Sequence, residues 1–353
     1  NIYSGIEAKN ISVNIDDSKD IRYEEVDKPV CGDNDVLLQI KAIGLCGSDI
    51  RTITYGHYKV KYPQIIGHEI TGQVAETGKN VKKFKAGDRL YVSPVVPCHE
   101  CKACRLGYEE LCENLTVIGT EIQGDYAEYM LLEEKVLKNG VVLSIPDELE
   151  YEQAVITEPL SSVYACQENC SITLGDTVAI IGMGPIGCLH TALAKIRGAK
   201  AVIAIEQSEE RLNKSKEFGA DYLINSSKED PVAKVREITG GWGAEKVISA
   251  CPSTDAQNQA ISMACKKGTV IFFGGVPKGK LTNIDTNIIH YNTLTLIGHY
   301  GYSNLQARKA FSLITSGRLD AKKFVTHVLP LKEIEKAVEL TRSGEAIKVV
   351  LKP

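Results

Sequence analysis

The stretch T-V-A-I-I-G-M-G-P-I-G, residues 177–187, joins a short apolar run to a turn rich in glycine. The β-branched run 177–181 predicts a buried strand, and the chain then enters the pattern G-x-G-x-x-G. Pro185 takes the first position of the helix expected next, where its missing N–H leaves no hydrogen bond unmade. A strand, a glycine turn and a helix in this order are typical of a dinucleotide-binding fold.

The glycines of this turn have a direct chemical use. Without side chains, they let the backbone approach a pyrophosphate, whose charge is favoured at the N-terminus of the following helix. The alternative is a glycine turn in an α/β layer that binds no ligand. The residues predicted to contact the cofactor here are Gly182, Gly184, Pro185, Ile186 and Gly187.

The second predicted strand, residues 201–205, leads into an acidic residue. Glu206 lies 19 positions after Gly187, the spacing expected of the residue that binds the adenosine ribose. Its charge would repel a 2′-phosphate, so we expect NAD rather than NADP as the cofactor. Arg211, further along the next helix, could offset that repulsion in part, or it could lie over the adenine or in solvent.

Apolar strands continue to alternate with amphipathic helices after this point. Such alternation predicts an α/β Rossmann domain, which is a doubly wound parallel sheet. Gly274 and Val276 lie at the carboxyl end of one predicted strand, where such sheets bind ligands, and are further candidate cofactor contacts. The predicted strands span residues 246–250, 270–273 and 294–297, and the predicted helices span 209–218 and 255–265.

A second pattern, C-H-E-C-K-A-C-R-L-G-Y-E-E-L-C, occupies residues 98–112. Closely spaced thiolates on a tight loop can converge on one tetrahedral ion, and four of them leave no open position. We therefore expect a structural zinc, with Lys102 and Arg105 offsetting the negative charge of its thiolates. The alternatives are two disulfides or four unrelated thiols. The predicted ligands are Cys98, Cys101, Cys104 and Cys112.

The first third of the chain predicts short strands joined by turns, a β-rich and barrel-like domain that carries the cysteine pattern. It contains Cys46 in G-L-C-G-S-D and then His68 and Glu69 in G-H-E, and Glu158 follows it in T-E-P. One thiolate, one imidazole and one carboxylate leave a fourth position for water, which is the pattern of a catalytic zinc. The residues after Cys46 predict a helix start, which favours a thiolate. Taken singly, each of these residues is more often a buried or hydrogen-bonded one.

Composition limits the classes of partner. The chain has 353 residues, enough for two domains, and its net charge of −4 gives no reason to expect nucleic acid or an anionic membrane surface. No apolar run approaches the roughly 20 residues of a membrane span, and residues 1–10 lack an apolar signal region. Eleven cysteines spread through a long chain fit a reducing cytoplasm.

Together, these motifs resemble the zinc-containing medium-chain dehydrogenases over nearly the whole chain. Within them the chain is most similar to the polyol branch, typified by sorbitol dehydrogenase, because Glu158 stands where alcohol dehydrogenases of the liver kind carry a cysteine. The resemblance implies a GroES-like catalytic domain, a Rossmann domain, NAD and two zinc ions per chain. It also implies that Cys46, His68 and Glu158 hold the catalytic zinc, while Glu69 lies beside it and can enter its coordination during turnover.

The resemblance also implies domain boundaries and an assembly. The GroES-like domain would span residues 1–159, with the zinc lobe at 95–113, and the Rossmann domain would span 160–300. Residues 301–353 would return to the first domain. The family resemblance suggests a homodimer or homotetramer.

Two residues depart from the family pattern and bear on the substrate. Arg51 stands where many members have a histidine that passes the proton to solvent, and Gly301 stands where sorbitol dehydrogenase has a substrate-binding arginine. Arg51 could instead bind a phosphate or carboxylate of the substrate, contact the cofactor pyrophosphate, or be solvated.

The reaction we expect is the reversible, NAD-dependent oxidation of a secondary hydroxyl of a small polyol, of the sorbitol or L-iditol kind, to the ketose. Ser48 is the candidate first proton acceptor, because a hydroxyl both donates and accepts; the alternative is an N-cap role in the helix after Cys46. The alternative substrates are a galactitol-phosphate-like hexitol phosphate, L-threonine and a vicinal diol. A catalytically silent NAD-binding sensor and a zinc-free, quinone reductase-like enzyme are the other classes, but neither would use Cys46, His68 and Glu158 together.

Overall fold

The computed structural model describes residues 8–14 and 20–353. These residues form two compact units. One contains the described part of residues 1–161 together with 302–353, and the other contains residues 162–301. Within the described ranges, no helix combines the length and apolar character that crossing a membrane requires.

The helices and strands are numbered in chain order. The strands are β1 Ala8–Asn14, β2 Asp20–Val26, β3 Val36–Gly44, β4 Gln64–Ile65, β5 Ile70–Thr77, β6 Arg89–Val92, β7 Val95–Val96, β8 Thr116–Val117, β9 Tyr129–Leu132, β10 Val142–Ser144, β11 Thr177–Ile181, β12 Ala201–Glu206, β13 Tyr222–Asn225, β14 Ala244–Ser249, β15 Ala264–Phe272, β16 Thr295–Gly298, β17 Val325–Pro330 and β18 Lys348–Lys352. The helices are α1 Gly47–Tyr55, α2 Lys102–Arg105, α3 Glu134–Asn139, α4 Tyr151–Ala154, α5 Thr157–Asn169, α6 Pro185–Ile196, α7 Glu209–Lys214, α8 Pro231–Ile238, α9 Thr254–Met263, α10 Thr286–Asn292, α11 Asn304–Thr315 and α12 Ile334–Ser343.

The unit of residues 162–301 is built on a six-stranded sheet with the order β13-β12-β11-β14-β15-β16, in which every neighbouring pair is parallel. The central strands β11 and β12 are almost wholly buried, which explains their continuous runs of small and β-branched apolar residues. The strand order reverses between β11 and β14, as in a doubly wound sheet. The predicted Rossmann architecture is confirmed.

Some element bounds differ from the predictions. The helix predicted over 209–218 is α7, which ends at Lys214 and continues as a 3-10 turn. The strand predicted over 270–273 begins earlier, at Ala264, because the preceding helix ends at Met263. No prediction covers β13, which has only four residues, or β17, which is an edge strand whose positions are half-buried and exposed in turn.

Two glycines of the turn after β11 meet a strict steric requirement. Gly182 has a φ of +98°, in the left-handed region that side chains disfavour. A Cβ on Gly187 would lie 1.9 Å from the carbonyl oxygen of Gly182, so the start of α6 can approach the turn this closely only with glycine there. As predicted, α6 begins at Pro185, with Gly184 as its N-cap.

The other unit contains a seven-stranded, mostly antiparallel sheet with the order β10-β6-β5-β3-β18-β17, in which β9 also pairs with β3. Strand β3 is central: it pairs with β5, β9 and β18, and Val36, Leu38 and Ile40 bury their side chains in the core of this unit. Strand β18 comes from the C-terminal segment, which therefore completes the sheet that begins near the N-terminus.

Candidate active site

Helix α1 carries Asp49, which contacts two of the predicted metal ligands, Cys46 and His68. It begins at Gly47, directly after Cys46, as the sequence predicts. The Asp49 carboxylate accepts hydrogen bonds from the Cys46 backbone N–H (3.1 Å) and from the Tyr126 hydroxyl (3.0 Å). Its other oxygen, Oδ1, lies 2.9 Å from Nδ1 of His68. Asp49 therefore orients the imidazole and leaves Nε2 as the ring nitrogen available to a metal ion.

The side chains of Cys46, His68 and Glu69 converge, and one ligand atom from each lies within 4.8 Å of the other two. Glu69 is fully buried, and its carboxylate forms an ion pair with the Lys348 ammonium, which is also buried. That ammonium donates a second hydrogen bond, to the carbonyl oxygen of Leu45 (3.1 Å). The charge of Glu69 is therefore paired by a cation of the chain itself.

Glu158 stands outside that group of three, but it interacts with the charges of His68, Glu69 and Lys348, and we call this set of buried charged side chains the charged cluster. It is the second residue of α5, and its Oε1 accepts a hydrogen bond from the Tyr302 hydroxyl (2.9 Å). Burial raises the pKa of Glu158 to about 7, while the charge of His68 opposes this rise and that of Glu69 adds to it. Because the hydrogen-bond partner of Glu158 is a neutral hydroxyl, a nearby metal cation would stabilise its charged form.

The charges of this cluster fit a divalent cation. Asp125 is fully buried beside Asp49, and neither of its carboxyl oxygens has a hydrogen-bond partner among the described residues. Burial, followed by the charge of Asp49, raises the pKa of Asp125 well above its usual value. Thiolate, imidazole and carboxylate are also the donors of catalytic zinc sites. The carboxyl groups that share the cluster with the Lys348 ammonium belong to Asp49, Glu69, Asp125 and Glu158.

Two more residues of α1 that the sequence singled out are exposed. Ser48 Oγ lies 3.4 Å from Nε2 of His68, the nitrogen available to a metal. The alternative N-cap role of Ser48 is wrong, because the N-cap is Cys46. Arg51 lies one turn further along α1, with its side chain in solvent. Gly301 has a φ of +66°, which an arginine at that position would rarely adopt.

The four cysteines of residues 98–112, which we call the cysteine lobe, also converge within 4.8 Å. Their sulfurs lie 3.4 Å (Cys98–Cys112), 3.9 Å (Cys101–Cys112) and 4.0 Å (Cys98–Cys104) apart. Four sulfurs at about 2.3 Å from a tetrahedral zinc would be about 3.8 Å apart. Backbone N–H groups of the lobe lower the pKa of Cys98 to about 6. All eleven cysteines are free thiols, so the disulfide alternative does not hold, and the lobe fits a structural zinc.

In the other unit, Glu206 lies at the carboxyl end of β12, as predicted, and its carboxylate is tied to the backbone. Oε2 accepts a hydrogen bond from the N–H of Met183, inside the glycine turn (2.8 Å). Oε1 accepts hydrogen bonds from the N–H groups of Gln207 (2.7 Å) and Ser208 (3.1 Å). The negative charge is therefore fixed beside the turn, where a Rossmann domain binds the adenosine ribose.

The remaining predicted cofactor residues lie around the same end of the sheet. Gly274 and Val276 follow β15, and a Cβ on Gly274 would lie 2.7 Å from the carbonyl oxygen of Cys251. A Cβ on Gly182 would lie 3.0 Å from the Cβ of Cys251, so the segment after β14 passes between two glycines of the predicted cofactor site. Arg211 lies in α7, the helix that follows β12.

Five residues of the charged cluster had no predicted role: Asp49, Asp125, Tyr126, Tyr302 and Lys348. Two of them carried a signal. Asp49 stands three residues after Cys46 in the quoted motif, and Lys348 is the charged residue inside the apolar run A-I-K-V-V-L. No local pattern marks the two tyrosines, because their hydrogen bonds reach partners 77 and 144 positions away in the sequence.

Comparison with known families gives two matches. Residues 32–147 match the family described as alcohol dehydrogenase GroES-like domain. Residues 185–316 match the family described as zinc-binding dehydrogenase. The β-rich unit with its lobe and the Rossmann unit therefore each have a counterpart in known dehydrogenases.

Curated relatives cover nearly the whole chain. An L-threonine 3-dehydrogenase of Bacillus velezensis is 32% identical over 94% of this chain and 94% of its own length. A sorbitol dehydrogenase of Bacillus subtilis is 30% identical over 95% of each chain. A D-arabitol-phosphate dehydrogenase of Enterococcus avium is 33% identical over 92% of this chain and 91% of its own.

Solved structures share the fold along the same length. A zinc-binding dehydrogenase of Sinorhizobium meliloti, solved with NADP bound, has a TM-score of 0.90 at 27% identity and covers 99% of this chain and 100% of its own. The 2R,3R-butanediol dehydrogenase of Bacillus subtilis has a TM-score of 0.88 at 28% identity, over 98% of this chain and 99% of its own.

Proposed function

Because this chain belongs to the zinc-containing medium-chain dehydrogenases, we propose that it catalyses the reversible oxidation of a secondary hydroxyl of a polyol to the ketose, with NAD as the hydride acceptor. The observation that carries the proposal is the convergence of Cys46, His68 and Glu69, with Glu158 in the same charged cluster. Free thiols throughout the chain support a reducing, cytoplasmic compartment.

The names of the relatives support a hydroxyl substrate with a secondary carbinol. Sorbitol, L-threonine, arabitol phosphate and butanediol all carry a hydroxyl on a carbon with two carbon neighbours. The substrates named for the relatives differ in the groups around that carbon. These groups are an ammonium and a carboxylate, a phosphate, or further hydroxyls. The polyol within this class is our proposal, supported by Glu158 in the position that the polyol branch of the family gives to glutamate.

The chain's own residues divide the work of holding the ion. Cys46 and His68 supply sulfur and nitrogen, and we assign the third ligand to Glu158, because the charge of Glu69 is already paired by Lys348. Glu69 has a ligand atom within 4.8 Å of the other two and is the carboxylate that can replace it. Zinc held there would act as a Lewis acid and lower the pKa of a substrate hydroxyl towards neutrality.

Ser48 is the group we assign to the proton. Its hydroxyl is exposed and lies 3.4 Å from Nε2 of His68, so it stands beside the predicted ion without being a ligand. It can accept the proton of the substrate hydroxyl while donating its own to solvent. Asp49 has a different task, since it is buried and holds His68 in place.

We assign NAD to the cofactor site because of Glu206. Its carboxylate is fixed by three backbone N–H groups beside the glycine turn, where a 2′-phosphate would bring a second negative charge. Glu206→Ala should therefore raise the KM for NAD and reduce the preference for NAD over NADP. Gln207→Ala is the matched control. A weaker affinity for NAD with no gain for NADP would contradict this assignment.

The substrate is tested by NADH formation with a panel of pentitols and hexitols, offered with and without a terminal phosphate, together with L-threonine and butane-2,3-diol. Turnover on free polyols is the expected result. Turnover confined to phosphorylated members would overturn the free-polyol proposal and assign Arg51 to the substrate phosphate. Turnover confined to L-threonine would place the chain with the threonine 3-dehydrogenases. Cys46→Ala serves as the control and should abolish the activity.

A further inference from the structure

The cysteine lobe is tied to the N-terminus of helix α11. Glu109 of the lobe accepts a hydrogen bond at Oε2 from the backbone N–H of Asn304 (2.7 Å). Its Oε1 lies 3.3 Å from Nδ1 of His99, also in the lobe. The carbonyl oxygen of Asn139 completes the junction, because it accepts from Nδ2 of Asn304 (2.8 Å) and lies 3.0 Å from Nε2 of His99. The lobe therefore holds this helix start directly through Glu109 and indirectly through His99 and Asn139.

The position of Asn304 explains why a carboxylate fits there. Asn304 is the first residue of α11, so its N–H has no partner inside the helix. The helix N-terminus carries a partial positive charge, which favours the negative charge of Glu109. The N-cap, Ser303, forms a capping box with Gln306, so the helix start is closed from within as well. Glu109 thus anchors a well-defined backbone segment.

The same segment reaches the charged cluster through Tyr302. Its side chain is buried, and its hydroxyl donates to Oε1 of Glu158 (2.9 Å) and lies 3.4 Å from Oγ of Ser93. One residue, Ser303, separates Tyr302 from Asn304, so the backbone that the lobe holds at one end positions the hydroxyl on Glu158 at the other. In the lobe, the turn that begins at Glu109 leads directly into Cys112, whose N–H donates to the Glu109 carbonyl oxygen (3.1 Å).

We propose that the cysteine lobe positions Glu158, acting through Glu109 and the segment Tyr302–Asn304. The four thiols fix the shape of the lobe, Glu109 fixes the start of α11, and Tyr302 holds the Glu158 carboxylate in the orientation that the predicted catalytic zinc requires. Glu109 and Tyr302 are positioning residues in this scheme. The inference rests on the proposed role of Glu158 as a zinc ligand.

The experiment measures the release of zinc from the purified protein to a chromophoric chelator. The wild-type chain should release two ions in separate phases, and Cys46→Ala identifies the phase of the catalytic ion by its loss. We expect Glu109→Ala and Tyr302→Phe each to speed that phase about tenfold, as for other residues that orient metal ligands. Glu110→Ala, in the same turn, is the matched control. Glu109→Gln keeps an acceptor for Asn304 and should restore most of the wild-type rate.

The double variant Glu109→Ala/Tyr302→Phe decides whether the two residues act in series. Glu109→Ala should add nothing once the tyrosine hydroxyl is gone, and the lobe ion should be released at the wild-type rate. The proposal is overturned if the two substitutions multiply each other's effect on the release rate of the catalytic ion, or if either of them speeds release of the lobe ion. It is also overturned if Glu109→Ala releases the catalytic ion no faster than Glu110→Ala. Glu158→Gln separates the two levels: if it leaves the catalytic phase unchanged, the ligand assignment under the proposed function fails first.

Discussion

Asp49 serves three neighbours with one carboxylate. One oxygen orients His68, and the other accepts hydrogen bonds from the Cys46 N–H and the Tyr126 hydroxyl. The carboxylate therefore fixes the relative positions of two predicted ligands, Cys46 at the N-cap of α1 and His68 in the segment before β5. Carboxylate partners of metal-binding histidines act in this way, orienting the ring and raising its basicity.

Asp49→Asn should keep the shape of the side chain but remove its charge. We expect the affinity of the catalytic site for zinc to fall about 10- to 100-fold, because the His68 ring then faces a neutral amide in place of the carboxylate that orients it and raises its basicity. Competition with a chelator of known affinity measures the change. Tyr126→Phe removes another partner of the same carboxylate and should cost less; an equal loss in both variants would mean that general packing, and not the histidine, sets the affinity.

His190 is a fully buried residue of α6, and its burial favours the neutral ring. Gln167 Nε2 lies 3.2 Å from Nδ1 of the ring and donates to the His190 carbonyl oxygen (2.8 Å), and Phe273 packs edge-on against the ring. Burial, and then the nearby His299, lowers the pKa of His190 to about 3. The unfolded chain would bind a proton there near pH 6.5, so the folded state binds fewer protons between these values.

Acid should therefore weaken the fold through His190. As the pH falls from 7.5 to 5, the linkage relation gives a loss of about 2 kcal/mol in the free energy of unfolding. His190→Leu should lack this part of the pH dependence, whatever its stability at pH 7.5. Urea unfolding of both chains at the two pH values measures the difference. Parallel pH dependences would show that His190 takes up no extra proton on unfolding.

At the scale of elements, β18 carries a buried lysine into the charged cluster. Its neighbours Val349, Val350 and Leu351 are buried apolar residues, while Lys348 pairs with Glu69, 279 positions away in the sequence. Burying two charges is costly, and the pair persists because its members satisfy one another and the Leu45 carbonyl. The return of the C-terminal segment to the sheet thus supplies the counter-charge for Glu69.

Lys348→Met should leave the Glu69 carboxylate buried without its cation. Removing one member of a buried pair costs about 3–5 kcal/mol, so a clear loss of thermal stability is expected. The double variant Lys348→Met/Glu69→Gln removes both charges and should recover much of that stability. Thermal unfolding of the wild type, Lys348→Met, Glu69→Gln and the double variant provides the cycle. If the double variant is as unstable as Lys348→Met, the loss comes from packing of the lysine stem and not from the unpaired charge.

At the scale of the whole molecule, both predicted metal sites lie in one unit. The charged cluster and the cysteine lobe belong to the unit that contains the described part of residues 1–161 and residues 302–353, while the predicted dinucleotide site lies in the unit of residues 162–301. The sites nevertheless differ in character. The lobe offers four thiols and leaves no open position, whereas the cluster offers three ligands of three different kinds.

Metal analysis should find two zinc ions per chain. Cys46→Ala should retain one ion and lose activity, while Cys112→Ala should retain one ion and lose thermal stability, because the lobe then lacks its cross-link. Cys31→Ala removes a thiol outside both sites and should retain two. A single ion per chain that survives Cys46→Ala would contradict the catalytic site and leave the lobe as the occupied one.

The sequence alone was sufficient for several features that depend on neighbours in the chain. The glycine turn, the helix start after Cys46 and the four cysteines of the lobe are defined by spacings of a few residues, because local backbone geometry places such groups together. The parallel sheet also followed, since buried runs alternating with helices allow few other architectures. Short or edge strands such as β13 and β17 lacked this signal, because β13 has only four residues and β17 alternates half-buried with exposed positions and forms no buried run.

Only the tertiary structure decided how the distant charges pair. Sequence pattern could name Glu69 and Glu158 as carboxylates, but it could not show that Lys348 pairs with Glu69 while a tyrosine hydroxyl holds Glu158. Nor could it connect the cysteine lobe to Tyr302. The physical reason is that periodicity fixes which face a side chain takes, whereas its partner is fixed by the packing of strands and helices far apart in the chain.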